Sequence, residues 1–281
     1  MELRELYIRG KKLLSYAMIE SADIEASSLL AGSVGVDKLS IFTEPHKEVN
    51  EGLIEKYNEF LNRRINGEPY SYITGTKEFY SLDFNVNENV LIPRPETELL
   101  VDTLLEKIPL DADYTVIDAG AGSGCIGITI GTLRESLRII GTDISGGALK
   151  VAESNSRLNA TENNCTFINS SYLDIFRPGS ADIVVSNPPY IPDHDFNDLQ
   201  EEVRDHEPVA ALLGGDDGLD HIREITKLSK DVLKHGGWLI MEFGIGQAKD
   251  VYELLSLKGF KSIEIKKDLN GIERIVSGQW K

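Results

Sequence analysis

The stretch TVIDAGAGSG, residues 115–124, decides the fold of this chain. Its first residues are β-branched and apolar and lead to an aspartate, which is typical of a short buried strand. The glycines that follow let the backbone turn sharply and approach a ligand closely. Because a helical pattern begins at Ile126, the stretch is predicted to be the first strand, loop and helix of an open α/β sheet. In such sheets ligands bind beyond the carboxyl ends of the strands.

Strand and helix patterns alternate from this unit to the end of the chain. Helices are predicted at 126–134, 148–158, 219–234 and 247–257, and strands at 115–118, 137–143, 165–168, 181–186, 237–243, 260–265 and 272–277. Strands separated by helices favour a parallel sheet with right-handed crossovers. The predicted fold class is therefore α/β, doubly wound and mostly parallel, with seven strands. The last two strands have no helix between them, so that pair is predicted to be antiparallel.

The N-terminal part of the chain has a different composition. Over residues 3–66, apolar residues recur at spacings of three and four, and turn residues divide the region into four or five short amphipathic helices. Aromatic and β-branched residues within 70–92 favour strands, with a turn at 87–89 before a last strand at 90–92. The predicted organisation is a helical domain at 1–72, a β-hairpin linker at 73–93 and the α/β domain at 94–281.

Charge and cysteine content argue against several classes of protein. The 281 residues include 29 basic and 46 acidic side chains, and the net charge of -17 opposes binding to a nucleic-acid backbone. Cys125 and Cys165 lack the spacing of metal ligands and are predicted to be core thiols in a reducing compartment, with no metal site. The N-terminus lacks the apolar centre of a signal peptide, and no membrane span is predicted, so a cytoplasmic protein is expected.

The glycine loop is predicted to bind a cofactor that contains adenosine. It consists of Gly120, Ala121, Gly122, Ser123 and Gly124. Residues 122–127 also spell the dinucleotide pattern with Asp143 about 20 residues further on, so NAD stays an alternative on this motif alone. Asp143 ends the second strand, where a carboxylate accepts both hydroxyls of a ribose. Its other interpretation is the N-cap of the helix that follows.

The second chemical feature is Ser186-Asn187-Pro188-Pro189-Tyr190, which directly follows a strand. The Asn187 side-chain oxygen and the Pro188 carbonyl each offer an acceptor for one proton of an NH2 group, and Tyr190 offers a ring that stacks on its flat face. Asn-Pro-Pro on its own is usually a stiff turn that ends a strand. Its place after the fourth strand and near the glycine loop favours a clamp, residues 187–190, that grips a planar amide or amine.

Together these features resemble the S-adenosylmethionine-dependent methyltransferases that modify NH2 groups conjugated to a flat system. Within that group, the whole chain resembles the bacterial peptide-chain release factor glutamine methyltransferases, which have a helical N-terminal domain and a hairpin linker. The matching motifs occur in order at 75–80, 91–98, 186–191, 207–212, 214–219 and 242–247. Each short motif is nonspecific, but their order and spacing together are specific.

The resemblance implies a role for each candidate residue. The glycine loop would hold the methionine part of S-adenosylmethionine, Asp143 its ribose and Tyr172 its adenine, while Asn187 would lie where cofactor and substrate meet. Catalysis would fall to Asn187, Pro188 and Tyr190, and substrate binding to Asn187, Pro188, Pro189 and Tyr190. Tyr172 stands where the family often has tryptophan, and two alanines replace a leucine and a threonine that are more common in the loop. Arg94 and Glu96 either shape the cofactor pocket or form salt bridges that stiffen the linker.

The implied function is methylation of the side-chain amide nitrogen of the glutamine in the Gly-Gly-Gln motif of release factors. One alternative is methylation of the exocyclic amine of adenine in nucleic acid, which the -17 charge disfavours. The other is a non-catalytic binding module, which the intact loop and clamp disfavour. The expected partners are release factors, received by the helical domain and an acidic segment at 192–218. Neither nucleic acid nor membrane is expected as a partner, and the protein is expected to be a monomer.

Overall fold

The computed structural model describes residues 1–281, which form two compact units. One unit consists of residues 1–75 and 201–206, and the other of residues 76–200 and 207–281. The first is helical and the second is an α/β domain. The segment 201–206, which is far along the chain, thus belongs to the N-terminal unit.

Six helices build the helical unit. They are α1 (Leu3–Tyr16), α2 (Ala22–Val34), α3 (Ser40–Thr43), α4 (Glu51–Ile65), α5 (Tyr70–Thr74) and, later in the chain, α9 (Glu201–His206). Their inner faces bury leucines around Tyr57, so the spacing of three and four marks the core as predicted. Arg64 ties the late helix to this unit, because its guanidinium lies 2.6 Å from Glu25 and 3.0 Å from Glu202.

The strand predicted at the start of the 70–92 region is wrong, because residues 70–74 form α5. Pro69 precedes the helix, and Gly75 ends it in the left-handed region at φ 75°. Tyr72 and Ile73 are buried. The β propensity of aromatic and β-branched residues reflects mainly how well they pack when buried. These residues are buried equally well by one helical turn here, so tertiary packing overrides their propensity.

A two-stranded hairpin begins the α/β unit. Strands β1 (Thr76–Phe79) and β2 (Leu82–Asn85) pair antiparallel, and the turn residues 80–81 both have positive φ. The fully buried Asn155 holds this hairpin, because its side-chain oxygen accepts the Asn85 amide at 2.6 Å and its side-chain nitrogen donates to the Asn85 carbonyl at 3.0 Å. The same nitrogen donates to a carbonyl of the glycine loop at 2.9 Å, so one side chain connects the hairpin to the loop.

The strand predicted at 90–92 is also wrong, because these residues pair with no strand. The Ile92 amide instead donates to the buried carboxylate of Glu207 at 3.2 Å. Pro93 has no amide hydrogen to donate to a ladder. Ile92 is therefore held by a side chain rather than by a sheet.

The remaining strands form one sheet of seven, and the predicted fold class is confirmed. They are β3 (Thr115–Ala119), β4 (Arg138–Asp143), β5 (Cys165–Asn169), β6 (Ala181–Ser186), β7 (Leu233–Glu242), β8 (Lys261–Lys267) and β9 (Glu273–Gln279). Their order is β5-β4-β3-β6-β7-β9-β8, with β9 antiparallel to both neighbours and the other pairs parallel. The helices of this unit are α6 (Glu98–Lys107), α7 (Cys125–Leu133), α8 (Gly146–Leu158), α10 (Asp220–Val232) and α11 (Ala248–Leu257).

Both faces of the sheet are covered by helices. Val116 points into a core with side chains of α6 and α7, and the next residue, Ile117, points into a second core with side chains of α10 and α11. Successive residues of a strand face opposite sides, so a strand between two helical layers is apolar throughout. This explains the continuous apolar runs of the central strands.

The sheet order places a ligand site at the centre. From β3 the chain continues to β4 on one side, whereas β6 pairs on the other side. Ligands of open α/β sheets bind at such a switch point, beyond the carboxyl ends of the strands. The Ser186 hydroxyl donates to the Ala119 carbonyl at 2.5 Å and joins the ends of β6 and β3.

The two cysteines are buried and free. Burial raises the pKa of the Cys125 thiol to about 12 and that of Cys165 to about 11. Both therefore stay protonated at neutral pH and are poor nucleophiles. None of the helices combines the length and the apolar character needed to cross a membrane.

Candidate active site

A cavity of about 420 Å³ lies at the carboxyl ends of the central strands. This volume is within the range of sites that hold small ligands. Its walls include Gly120, Ala121, Gly122, Ser123, Asp143, Tyr172, Asn187 and Pro189. The structure thus brings most of the predicted site residues together around one space, while Gly124, Pro188 and Tyr190 lie outside its lining.

The glycine loop is held from beneath by β4. The Thr142 carbonyl accepts the amides of Gly120 at 2.9 Å and Ala121 at 2.8 Å, and the Asp143 carboxylate accepts the amide of Gly122 at 2.9 Å. Gly122 has φ 56°, and a methyl group added there would meet no protein atom within 4 Å. The loop therefore presents bare backbone to the cavity.

Gly124 has a packing role instead. Its φ is 79°, and a methyl group added there would lie 2.8 Å from Ile128 and 3.2 Å from Ala152. It begins α7 at a point where helix and loop are close to α8. Of the loop glycines, Gly122 leaves space for a ligand and Gly124 allows close packing.

Asp118, which the sequence places at the start of the glycine motif without a role of its own, supports the loop from inside the protein. Its Oδ2 accepts the Gly127 amide at 3.0 Å, and its Oδ1 is buried without a partner. Burial raises the pKa of this carboxyl group to about 7. The sequence position of Asp118, between a strand and the glycine loop, indicates this role, because a carboxylate there reaches the free amides at the start of the next helix.

Asp143 is not the N-cap of α8. Ser145 takes that place, because its hydroxyl accepts the Ala148 amide at 3.1 Å. The two carboxylate oxygens of Asp143 accept the amides of Gly122 and Ser145, which fixes the side chain at the wall of the cavity. Each carboxylate oxygen accepts more than one hydrogen bond, so both keep capacity for hydroxyl groups of a ligand.

Tyr172 is oriented by a histidine that the sequence analysis did not identify. Its hydroxyl lies 2.6 Å from Nδ1 of His221, and Nε2 of His221 lies 3.1 Å from the Leu213 carbonyl. A carbonyl only accepts, so Nε2 carries the proton and Nδ1 accepts from the tyrosine. Both rings line the cavity, and burial raises the pKa of Tyr172.

The clamp is divided between the cavity and the core. Asn187 and Pro189 line the cavity, whereas Pro188 is buried and the ring of Tyr190 packs against the core. The Asn187 side-chain nitrogen donates to the Thr97 hydroxyl at 3.1 Å. The Tyr190 hydroxyl donates to the Glu242 carboxylate at 3.2 Å. The clamp is thus anchored to residues far from it in the sequence.

Glu242, at the end of β7, is the centre of this anchor. It also accepts the Thr97 hydroxyl at 2.7 Å. Burial raises the pKa of Glu242, while the bonds from Thr97 and Tyr190 and the nearby Arg274 oppose that rise. Thr97 and Glu242 both belong to motifs of the family resemblance, but nothing in the sequence showed that they touch.

Gln247 and Gly218 support the clamp from behind. The Gln247 side chain donates to the Tyr190 carbonyl at 2.9 Å and accepts the Gly244 amide at 2.7 Å. Gly218 has φ 75°, and a methyl group added there would lie 2.3 Å from the Tyr190 carbonyl oxygen. The clamp therefore rests on a backbone surface that only glycine permits.

Arg94 both lines the cavity and forms a salt bridge, so its two predicted roles occur together. Its guanidinium lies 2.5 Å from Glu207, whose carboxylate also accepts the Ile92 amide. The Glu207 side chain is 1% exposed. This pair joins the segment before α6 to the 207–211 loop, and both segments form walls of the cavity.

Family models match both parts of the chain. Residues 5–75 match the PrmC N-terminal domain, and residues 95–204 match the methyltransferase small domain. The Koribacter versatilis release factor glutamine methyltransferase is 37% identical over 99% of both chains. The protein of the same name from Clostridium acetobutylicum is 37% identical over 98% of both.

A solved structure shows the same fold. It is the 16S rRNA N2 G1207 methyltransferase of T. thermophilus in complex with AdoMet and guanosine, with a TM-score of 0.55 and 16% identity. The match covers 73% of this chain and 50% of that one. At this identity the likeness supports the architecture of the α/β unit alone.

Proposed function

Because this chain belongs to the release factor glutamine methyltransferase family, as its motifs predicted, we propose that it methylates the side-chain amide of a release factor glutamine with S-adenosylmethionine as methyl donor. The observation that carries this proposal is the Asn187 amide, which lies on the wall of the cavity and is anchored by Thr97. A clamp for a planar NH2 group thus adjoins a pocket built for an adenosine-containing molecule.

The cavity fits S-adenosylmethionine. Gly122 leaves open space where any side chain would intrude, and the Asp143 carboxylate stands on the same wall with capacity to accept hydroxyl protons. Tyr172 adds an aromatic ring whose orientation is fixed by His221. We therefore assign the loop to the methionine part, Asp143 to the ribose and Tyr172 to the adenine.

When bound, S-adenosylmethionine supplies an electrophilic methyl group on a sulfonium. The protein must present the nitrogen of a primary amide, which is a poor nucleophile because its lone pair is delocalised into the carbonyl. In the proposed mechanism the Asn187 Oδ1 and the Pro188 carbonyl each accept one N–H of the substrate. Two acceptors raise the electron density on that nitrogen and direct its lone pair, so positioning and electrostatics provide most of the catalysis.

No strong base is required before transfer. The extra proton leaves the nitrogen after the methyl group has bonded, because the positively charged product is far more acidic than the amide. Because the Tyr190 ring packs against the core and its hydroxyl donates to Glu242, Tyr190 is proposed to hold the clamp in place, while Pro189 limits access to the pocket.

The substrate is proposed to be a whole protein. The net charge of -17 favours a partner that presents a basic surface. The helical unit is proposed to dock the release factor. We further propose that the enzyme acts as a monomer in the cytoplasm and does not bind nucleic acid directly.

The direct test is incubation of the protein with labelled S-adenosylmethionine and either a release factor or a duplex oligonucleotide. Label on the factor, lost when the glutamine of its Gly-Gly-Gln motif is replaced by asparagine, supports the proposal. Label on the oligonucleotide alone would overturn it in favour of adenine methylation. Mass spectrometry of the tryptic peptide identifies the modified residue.

Gly122→Ala is expected to weaken cofactor binding with little loss of stability. The added methyl group meets no protein atom, so the backbone strain is its only effect on the fold. It would occupy the space assigned to the methionine part, and the dissociation constant for S-adenosylmethionine should rise roughly 10-fold or more. Isothermal titration calorimetry measures this. Gly246→Ala is the matched control, because Gly246 has φ 85°, equally open surroundings and no part in the cavity.

A further inference from the structure

We propose that Thr97 and Glu242 are positioning residues that hold the Asn187 amide in one orientation, with its oxygen toward the substrate. This inference rests on the proposed glutamine methylation. An asparagine side chain has a donor end and an acceptor end of nearly equal shape, and only the acceptor end binds the N–H groups of a substrate amide. A neighbouring group of the protein must therefore favour one orientation of the Asn187 amide over the other.

The hydrogen bonds around Thr97 make that distinction. Its hydroxyl has one proton, which it donates to the Glu242 carboxylate at 2.7 Å. The hydroxyl oxygen is then limited to accepting, and the group 3.1 Å away on Asn187 must be the NH2 end. The carboxylate thus determines the direction of the whole chain of hydrogen bonds, and the Asn187 oxygen is left for the cavity.

The reversed orientation is costly on both sides. It would place the Asn187 oxygen against a hydroxyl whose proton is already donated, and it would direct the NH2 end at the NH2 group of the substrate. Thr97 and Glu242 are 2% and 1% exposed, so bulk water does not compensate for a wrong partner. Burial strengthens the preference for the observed orientation of Asn187, because an unpaired polar group costs more free energy in the protein interior than in water.

The same carboxylate serves the other end of the clamp. Its second oxygen accepts the Tyr190 hydroxyl at 3.2 Å. Burial raises the pKa of Glu242, and the hydrogen bonds from Thr97 and Tyr190 and the charge of Arg274 oppose that rise. One buried acidic group therefore fixes both polar side chains of the clamp, although it is distant from them in the sequence.

Thr97→Val tests the inference, because it keeps the shape of the side chain and removes the hydroxyl. The expected result is a fall in kcat of roughly 10²-fold, since Asn187 loses its fixed orientation, with little change in the KM for S-adenosylmethionine. Thr97→Ser restores the hydroxyl and should restore most of kcat. Thr103→Val is the matched control, because Thr103 is equally buried but donates to a carbonyl of its own helix at 2.7 Å.

A spectroscopic measurement reports the orientation without turnover. In 15N-labelled protein the side-chain NH2 signals of Asn187 are identified by their loss in Asn187→Ala. These signals should shift in Thr97→Val and remain near their wild-type positions in Thr97→Ser and Thr103→Val. Unchanged Asn187 signals in Thr97→Val, or a Thr97→Ser variant as slow as Thr97→Val, would overturn the inference. Failure of the wild-type protein to label a release factor would refute the proposed function instead.

Discussion

Replacing Asn187 with Ala is expected to lower kcat for glutamine methylation by roughly 10²- to 10³-fold while binding of S-adenosylmethionine is largely retained. The variant removes the side-chain acceptor that the mechanism uses in the transition state, but leaves the glycine loop and Asp143 in place. Steady-state transfer of a labelled methyl group at saturating substrate measures kcat, and calorimetry measures binding. Because the NH2 end of Asn187 donates to Thr97, the substitution also removes that donor, while the Thr97 hydroxyl keeps its bond to Glu242.

The control for this variant is Asn163→Ala. Asn163 is exposed in the turn before β5 and does not line the cavity, and the substitution removes the same atoms. Its kcat should equal that of the wild type. Turnover of Asn187→Ala close to the wild-type rate would contradict the assignment of the clamp. Loss of cofactor binding in parallel with kcat would mean that Asn187 serves the cofactor rather than the substrate.

Gly218→Ala is expected to reduce the free energy of unfolding of the α/β unit by roughly 2–4 kcal/mol. Two causes add. Alanine is strained at φ 75°. Its methyl group would also lie 2.3 Å from the carbonyl oxygen of Tyr190, and a backbone atom cannot move aside as the end of a flexible side chain can. The clamp should therefore shift, and kcat should fall together with stability.

Gly271→Ala separates the two causes. Gly271 has φ 81° but no neighbouring atom within 4 Å, so strain alone should cost about 1 kcal/mol. Both tryptophans of the protein, Trp238 and Trp280, lie in the α/β unit, and urea unfolding followed by tryptophan fluorescence therefore reports on that unit. Equal losses in the two variants would show that the contact with Tyr190 contributes nothing.

Much of the fold was predictable because its signals are local. The apolar runs, the glycines after β3 and the helical spacings act over a few residues, and they predicted the order of strands and helices in the α/β unit. The errors fell at 70–74 and 90–92, where the conformation depends on packing and on a hydrogen bond from a remote carboxylate. Local propensity carries no information about such partners.

The sequence by itself identified the candidate groups for the chemistry: a glycine loop, a carboxylate after β4, and the clamp after β6. Their types, and their places after parallel strands, imply that they meet at one edge of the sheet. The tertiary structure alone decided how they are held. Thr97 and Glu242 are 145 residues apart, Arg94 and Glu207 are 113 apart, and Tyr172 and His221 are 49 apart. Such pairs form only after the sheet order brings their elements together, and when buried they fix the side chains at the wall of the cavity.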